Sequence, residues 1–110
     1  YKEYVINHDY RAKTTEWHSK IWQFHCQLVK LDVPHLFYNG WSTFSDITEQ
    51  QPFGINYLGP YNRNLSYNSV LIENGFNWVT PNHYHFGADG HCFWAQYLLQ
   101  YINNHNLLSE

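Results

Sequence analysis

Apolar residues recur with helical spacing between residues 12 and 31, and this pattern constrains the fold more than any other feature of the chain. Trp17, Ile21, Phe24, Leu28 and Leu31 follow one another at steps of four and three, which places them on one face of a helix. Pro34 then predicts the end of the helix. We therefore predict a long amphipathic helix whose apolar stripe faces the core. His18 and His25 are expected to flank that stripe.

A short apolar segment follows this helix and predicts a buried strand. Residues 35–38 read His-Leu-Phe-Tyr and are closed by Asn39 and Gly40, which is typical of a strand that ends in a turn. A helix, a tight turn and a buried strand form the second half of a βαβ unit, whose strands are parallel. The sequence therefore predicts an α/β fold with a parallel sheet.

The rest of the chain alternates irregular segments with two further predicted helices. Residues 40–65 are rich in Gly, Pro, Asn, Ser and Gln and predict a long irregular connection. A short helix is expected over 66–74 with Gly75 as its cap, a brief strand over 76–79, and a loop over 81–85. The last helix is predicted over 89–103, with Asp89 at its start and an apolar face of Phe93, Tyr97, Leu98, Tyr101 and Ile102.

Composition limits the functions that such a chain can have. Its 110 residues predict a single domain over 1–110, and an aromatic content of 20% can supply a compact core. The net charge is −3 with no cluster of Lys or Arg, so we expect no nucleic-acid partner and no membrane contact. Cys26 and Cys92 are expected to be free, buried thiols, as in a reducing compartment such as the cytoplasm.

The segment over 81–101, PNHYHFGADGHCFWAQYLLQY, resembles the C-terminal signature of the SGNH/GDSL hydrolases. In that family a His lies in a loop after the last strand, and a Gly and an apolar helix follow. His85 precedes Gly90 by the matching interval, and Phe93, Trp94 and Ala95 continue the pattern. The predicted helix and strand at 12–38 are similar to the αβ unit that precedes this loop in the family.

The resemblance implies a fold and a reaction. The fold would be a three-layer α/β sandwich of the flavodoxin-like type with a parallel sheet. The reaction would be hydrolysis of a small ester or an acylated carbohydrate by a Ser nucleophile, with no cofactor. His85 would act as the general base that takes the Ser proton and returns it to the leaving alcohol. Asn82 would orient the His85 ring.

Two departures from the family pattern bear on that activity. The family usually has an Asp three residues before its His, and Asn82 carries no charge that could stabilise an imidazolium. The Gly-Asp-Ser and Gly-x-Asn-Asp segments are also absent. Because the sequence begins at Tyr1 and contains no Met, we expect residues 1–110 to be the C-terminal part of a longer hydrolase-like domain. Such a part would pair with another copy or with the missing N-terminal segment.

Other functions remain open at this point. The same scaffold could serve as a non-catalytic binding or assembly module. His83, His85 and His91 could together bind a metal ion, because three imidazoles with an open fourth position are typical of catalytic zinc. The loop aromatics could line a sugar- or ester-binding cleft or pack over the core; they are Trp41, Phe44, Phe53, Tyr57 and Tyr61.

Overall fold

A computed structural model describes the chain over residues 2–81 and 83–108, with side chains from residue 11 onward. Its helices are α1 (Lys2–Lys30), α2 (Tyr67–Glu73) and α3 (Ala88–Asn104). Its strands are β1 (Phe37–Tyr38) and β2 (Tyr57–Leu58), and single turns of 3₁₀ helix span Gly54–Asn56 and Arg63–Leu65. The molecule is flat, with extents of 54 × 36 × 17 Å.

The predicted three-layer sandwich is wrong. The described residues form one sheet of two strands, β1 and β2, which pair in parallel with Phe37 opposite Tyr57. The pairing stops after two residues because the polar groups beyond it bond elsewhere. The side-chain amide of Asn39 donates to the carbonyl of Pro60 at 3.2 Å, and Gly59 turns the chain with a φ of +53°. The pairing of β1 with β2 is therefore limited to these two residue pairs.

The two residues of β2 contribute to two different hydrophobic clusters, as expected for neighbours in a strand. Tyr57 belongs to the α1 cluster, which we define by the buried residues Phe44, Phe53 and Tyr57 beneath α1. Leu58 belongs to the α3 cluster, which consists of Leu58, Val70, Leu71, Phe86 and Trp94. The short strand β2 therefore joins two cores of different composition.

Helix α1 presents a different face to the core from the one predicted. Trp17, Phe24 and Leu31 of the predicted stripe are exposed, and Ile21 and Leu28 are only half-buried. The buried positions are His18 and His25, at 5% and 6% exposure. The stripe prediction is wrong because the partner of α1 is a cluster of aromatic rings that contains polar acceptors. An imidazole can pack edge-on against such rings and also hydrogen-bond to them.

The predictions for α2 and α3 are confirmed to within a few residues, and the helix ends show why. The backbone N–H of Phe76 bonds to the carbonyl of Leu71, and Gly75 bonds to Ile72 with a φ of +90°. This is a Schellman ending, and Gly75 provides the positive φ as predicted. The strand predicted over 76–79 is wrong, because Trp78 forms only an isolated antiparallel bridge to Phe86.

Cys26 and Cys92 are free thiols, and both are exposed, so the prediction that they are buried is wrong. Among the helices in the described part of the chain, none combines the length and apolar character needed to cross a membrane.

Candidate functional site

His85 lies in the turn that leads into α3. Its side chain is exposed, and its backbone carbonyl accepts a hydrogen bond of 2.7 Å from the N–H of Val79. Asn82, the residue predicted to orient the His85 ring, lies outside the described residues. The predicted contact between them therefore stays a prediction.

The described serines lie in other surroundings. The Ser66 and Ser69 hydroxyls bond to each other at 3.0 Å at the start of α2, and Ser45 accepts from Thr43 at 3.2 Å. None of these hydrogen bonds reaches the His85 ring.

The three histidines considered as metal ligands do not converge. The Nδ1 atom of His91 lies 3.0 Å from the Tyr67 hydroxyl, and the two rings stack at 15°. His83 and His85 are both exposed. No group of three or more His, Cys, Asp or Glu side chains that could hold a metal ion occurs among the residues that the structure describes.

Three aromatic side chains form an exposed surface next to His85, and we call this surface the aromatic platform. It consists of Trp41, Trp78 and Tyr84. The Trp41 and Trp78 rings stack with centroids 5.6 Å apart and planes at 28°. Tyr84 packs edge-on against both, at 5.0 Å from Trp41 and 4.8 Å from Trp78. Trp41 is 52% exposed and Tyr84 is 54% exposed, so large parts of both rings face solvent.

Asn68 on α2 fixes the platform. Its backbone N–H donates to the carbonyl of Gly40, the residue before Trp41, at 2.9 Å. Its side-chain oxygen accepts a hydrogen bond of 2.9 Å from the indole N–H of Trp78. One residue of a helix thus holds both indole-bearing segments, and the platform is a preformed surface rather than a pair of loose side chains.

The backbone at Tyr84 is strained in a way that presents its ring. Tyr84 has a φ of +57°, a left-handed conformation that bulky residues rarely adopt. Such strain costs about 1–3 kcal/mol and is commonly found at functional sites. An Asn or Gly would occupy this turn more easily, so the Tyr at this position points to a use for its ring.

The segments that carry the platform are free of formal charge. Residues 39–42 and 76–86 contain no Asp, Glu, Lys or Arg. His83 and His85, on either side of Tyr84 in sequence, are exposed polar side chains. The platform therefore combines aromatic faces with polar neighbours in the chain.

A second feature is a cleft of about 930 Å³ between α1 and the segment over 43–51. We call it the polar cleft. Its α1 wall consists of Arg11, Thr14, Thr15, His18, Ser19 and Trp22, and its second wall consists of Thr43, Asp46, Ile47, Thr48, Glu49 and Gln51. This cleft was not predicted from the sequence, because His18 was expected at the flank of an apolar stripe. The spacing of the polar residues at 11, 15 and 18 was the available signal.

His18 is the buried centre of the α1 wall. Its Nε2 atom lies 2.7 Å from the Tyr61 hydroxyl, which also accepts a hydrogen bond of 2.6 Å from the backbone N–H of Gln51. Its ring packs edge-on against Phe44 with centroids 5.1 Å apart. Burial lowers the pKa of His18 below 6.5 and raises the pKa of Tyr61 above 10.0, so both side chains are neutral at neutral pH.

His25, a second histidine on α1, bonds to His35 and so connects the helix to the start of β1. Nδ1 of His35 lies 2.8 Å from the Val33 carbonyl, which can only accept, so this nitrogen carries a proton. In neutral His35 the Nε2 atom must then accept, and it receives the proton of His25 Nδ1 across 2.8 Å. Burial first, and the nearby His35 second, lower the pKa of His25 below 6.5. This chain of hydrogen bonds is a structural link between α1 and the start of β1.

Comparison with known proteins adds no relative to this description. No family model matches the chain, and no match was found among the curated proteins or the solved structures. The function is therefore argued from the geometry alone.

Proposed function

We propose that this chain is a binding module that holds a neutral carbohydrate against the aromatic platform. The observation that carries the proposal is the stacked pair of Trp41 and Trp78, braced by Tyr84 and anchored through Asn68. Exposed, preformed clusters of large rings are rare on proteins that bind nothing, because such surfaces tend to mark interaction sites.

The chemistry of the platform favours a sugar ring over other ligands. An aromatic face carries partial negative charge, which complements the slightly positive C–H groups on one face of a pyranose. The two carrier segments contain no Lys or Arg that could pair with a phosphate or a nucleic acid, and the nearest one shown is Lys13, which lines a hollow together with Ser42. A cationic ligand would be favoured by a nearby carboxylate, which those segments also lack. The exposed His83 and His85 can hydrogen-bond to sugar hydroxyls.

Titration with cellohexaose, chitohexaose and mannohexaose, followed by tryptophan fluorescence, tests this proposal. We expect saturable binding of at least one of the three. Trp41→Ala should weaken that binding about tenfold or more, since it removes half of the stacked pair. Trp17→Ala is the matched control, because Trp17 is 60% exposed but lies on α1 outside the platform. No binding of any of the three sugars, or equal loss in both variants, would refute the proposal.

A companion variant separates the Tyr84 ring from its backbone conformation. Tyr84→Asn keeps a residue that tolerates positive φ but removes the ring. We expect unchanged or slightly higher stability in thermal unfolding together with weaker sugar binding. Binding that survives in this variant would show that Tyr84 is not part of the surface.

A second candidate is that the chain is the base-carrying part of an ester hydrolase, and the packing of Gly90 favours it. A Cβ at Gly90 would lie 3.1 Å from Cβ of Phe86 and 3.5 Å from Leu71, so Gly allows α3 to begin tightly against the residues that follow His85. The exposed His85 ring would be the general base, and the Ser would come from outside these residues. On this hypothesis the platform would bind the alcohol part of an acylated sugar.

Hydrolysis of p-nitrophenyl acetate distinguishes this candidate from simple binding. The chain alone should be inactive, and joining an upstream Gly-Asp-Ser segment should produce activity that His85→Ala abolishes and His83→Ala retains. Asn82→Asp should raise the rate, because a carboxylate stabilises the imidazolium. Full activity without the His85 ring would contradict the assignment.

A further inference from the structure

The polar cleft has walls of opposite charge. Arg11 is the charged residue of the α1 wall, and Asp46 and Glu49 are the charged residues of the facing wall. None of these three side chains forms an ion pair within the described part of the chain. The cleft therefore presents a cation on one side and two carboxylates on the other.

The floor of the cleft is rigid enough to keep the walls apart. Ile47 and Trp22 border the cleft and pack on the α1 cluster below it. The Tyr61 hydroxyl joins His18 on one wall to Gln51 on the other, through contacts of 2.7 Å and 2.6 Å. The separation of the two walls is thus fixed by side chains that are themselves packed.

The α1 wall carries an imidazole as well as the Arg11 guanidinium. The Nε2 atom of His18 lies 2.7 Å from the Tyr61 hydroxyl, and that hydroxyl lies 3.4 Å from the Gln51 carbonyl. Arg11 and His18 lie on the same side of α1, about two turns apart.

We propose that the polar cleft binds a small zwitterion, that is, a molecule with one carboxylate and one ammonium group, such as a free amino acid. Arg11 would bind the carboxylate, since guanidinium groups pair well with carboxylates. Asp46 and Glu49 would bind the ammonium group, and Trp22 and Ile47 would contact an apolar side chain. The volume of about 930 Å³ lies within the range of small-molecule sites. This site is separate from the aromatic platform and does not rest on the proposed function.

The proposal is tested with L-leucine and two analogues that each lack one charge. N-acetyl-L-leucine has no ammonium group, and L-leucinamide has no carboxylate. Binding is followed through the indole ¹H–¹⁵N NMR signal of Trp22. We expect L-leucine to shift this signal in a saturable way, and each analogue to bind about tenfold more weakly, because each loses a charge-assisted contact.

Conservative variants show which wall recognises which group. Arg11→Gln should weaken the binding of L-leucine about tenfold and leave the binding of L-leucinamide unchanged. Glu49→Gln combined with Asp46→Asn should weaken the binding of L-leucine and leave the binding of N-acetyl-L-leucine unchanged. Arg63→Gln and Glu73→Gln are exposed controls away from the cleft and should change nothing. The proposal is overturned by absence of L-leucine binding, by equal binding of the analogues or of D-glucose, or by equal effects of the cleft and control variants.

Discussion

The helices α1 and α3 come from similar sequence patterns but meet the core in different ways. In α3 the apolar positions are the core-facing ones, and Trp94 is buried while its predicted face is half-buried. In α1 the apolar stripe is largely exposed, and His18 and His25 are buried instead. Periodicity therefore identifies a helix reliably, whereas the choice of buried face depends on the chemistry of the partner surface.

The partner surfaces explain the contrast. The α3 cluster consists of apolar side chains such as Leu58, Val70 and Leu71, so burial follows hydrophobicity. Beneath α1, the partners are aromatic rings and the polar groups of Tyr61 and His35. An imidazole satisfies both kinds of contact there, and a leucine would satisfy only one.

Truncating the centre of the α3 cluster should have the largest effect on stability. Leu71 is fully buried, so Leu71→Ala should lower the free energy of unfolding by about 2–5 kcal/mol through lost burial and the cavity that remains. Denaturant unfolding measures this loss. Leu31→Ala, at an exposed position directly after α1, is the matched control and should cost less than about 0.5 kcal/mol. Similar losses in both variants would mean that α1 buries its apolar stripe after all.

Substitution of His18 should cost more stability than substitution of its neighbour Trp17, although Trp17 is the more hydrophobic residue. His18→Ala should cost about 1–3 kcal/mol, because it removes a ring packed among aromatics and leaves the Tyr61 hydroxyl without its side-chain partner. Trp17→Ala should cost less than about 0.5 kcal/mol although it removes a larger ring. Thermal unfolding compares the two. A greater loss in the Trp17 variant would reverse the proposed orientation of α1.

Close packing at the start of α3 should outweigh helix propensity. Ala is the better helix former by about 1 kcal/mol, yet a Cβ at position 90 would lie only 3.1 Å from Cβ of Phe86. We expect Gly90→Ala to lower stability by about 1 kcal/mol, because Phe86 must shift within the cluster. Gln96→Ala, on the exposed side of the same helix, is the control and should be neutral. A more stable Gly90 variant would show that α3 is not tightly seated.

The buried histidines should make α1 packing weaken in mild acid. Burial lowers the pKa of His18 and His25 below 6.5 in the folded chain, so the unfolded chain binds more protons below that pH. Stability should therefore be full above about pH 6.5 and fall as the pH drops from there through the lowered pKa values. Unfolding measured across this range should show a shallower fall for His25→Gln and no change for the exposed His83→Gln. If the His25 variant keeps the pH dependence of the parent chain, His25 does not contribute to the loss of stability in acid.

Local features were predictable from the sequence where a local cause determines them. The end of α2 follows from Gly75 with a φ of +90°, and α3 follows from its apolar spacing. The burial of His18 was not predictable, because it depends on Tyr61, 43 residues away. The resemblance at His85 and Gly90 led to a three-layer sandwich that the described residues do not contain, since a short motif specifies a turn and a helix start but not a sheet.

The candidate sites also differ in how far the sequence predicts them. The aromatic platform joins Trp41 to a turn about 40 residues later, and Asn68 is what brings them together. The positive φ of Tyr84 has no sequence signal, because Tyr is unusual in that conformation. His85 was found by motif, and its exposed position is compatible with either proposed function.

The most direct test of the carbohydrate proposal is an indole ¹H–¹⁵N NMR titration with whichever of the three hexasaccharides binds. The chain has 5 tryptophans, so each indole N–H can be followed separately. We predict that the signals of Trp41 and Trp78 shift together and saturate, while those of Trp17 and Trp94 stay in place. Shifts confined to Trp17, or equal small shifts of all five signals, would contradict the assignment of the aromatic platform as the binding surface.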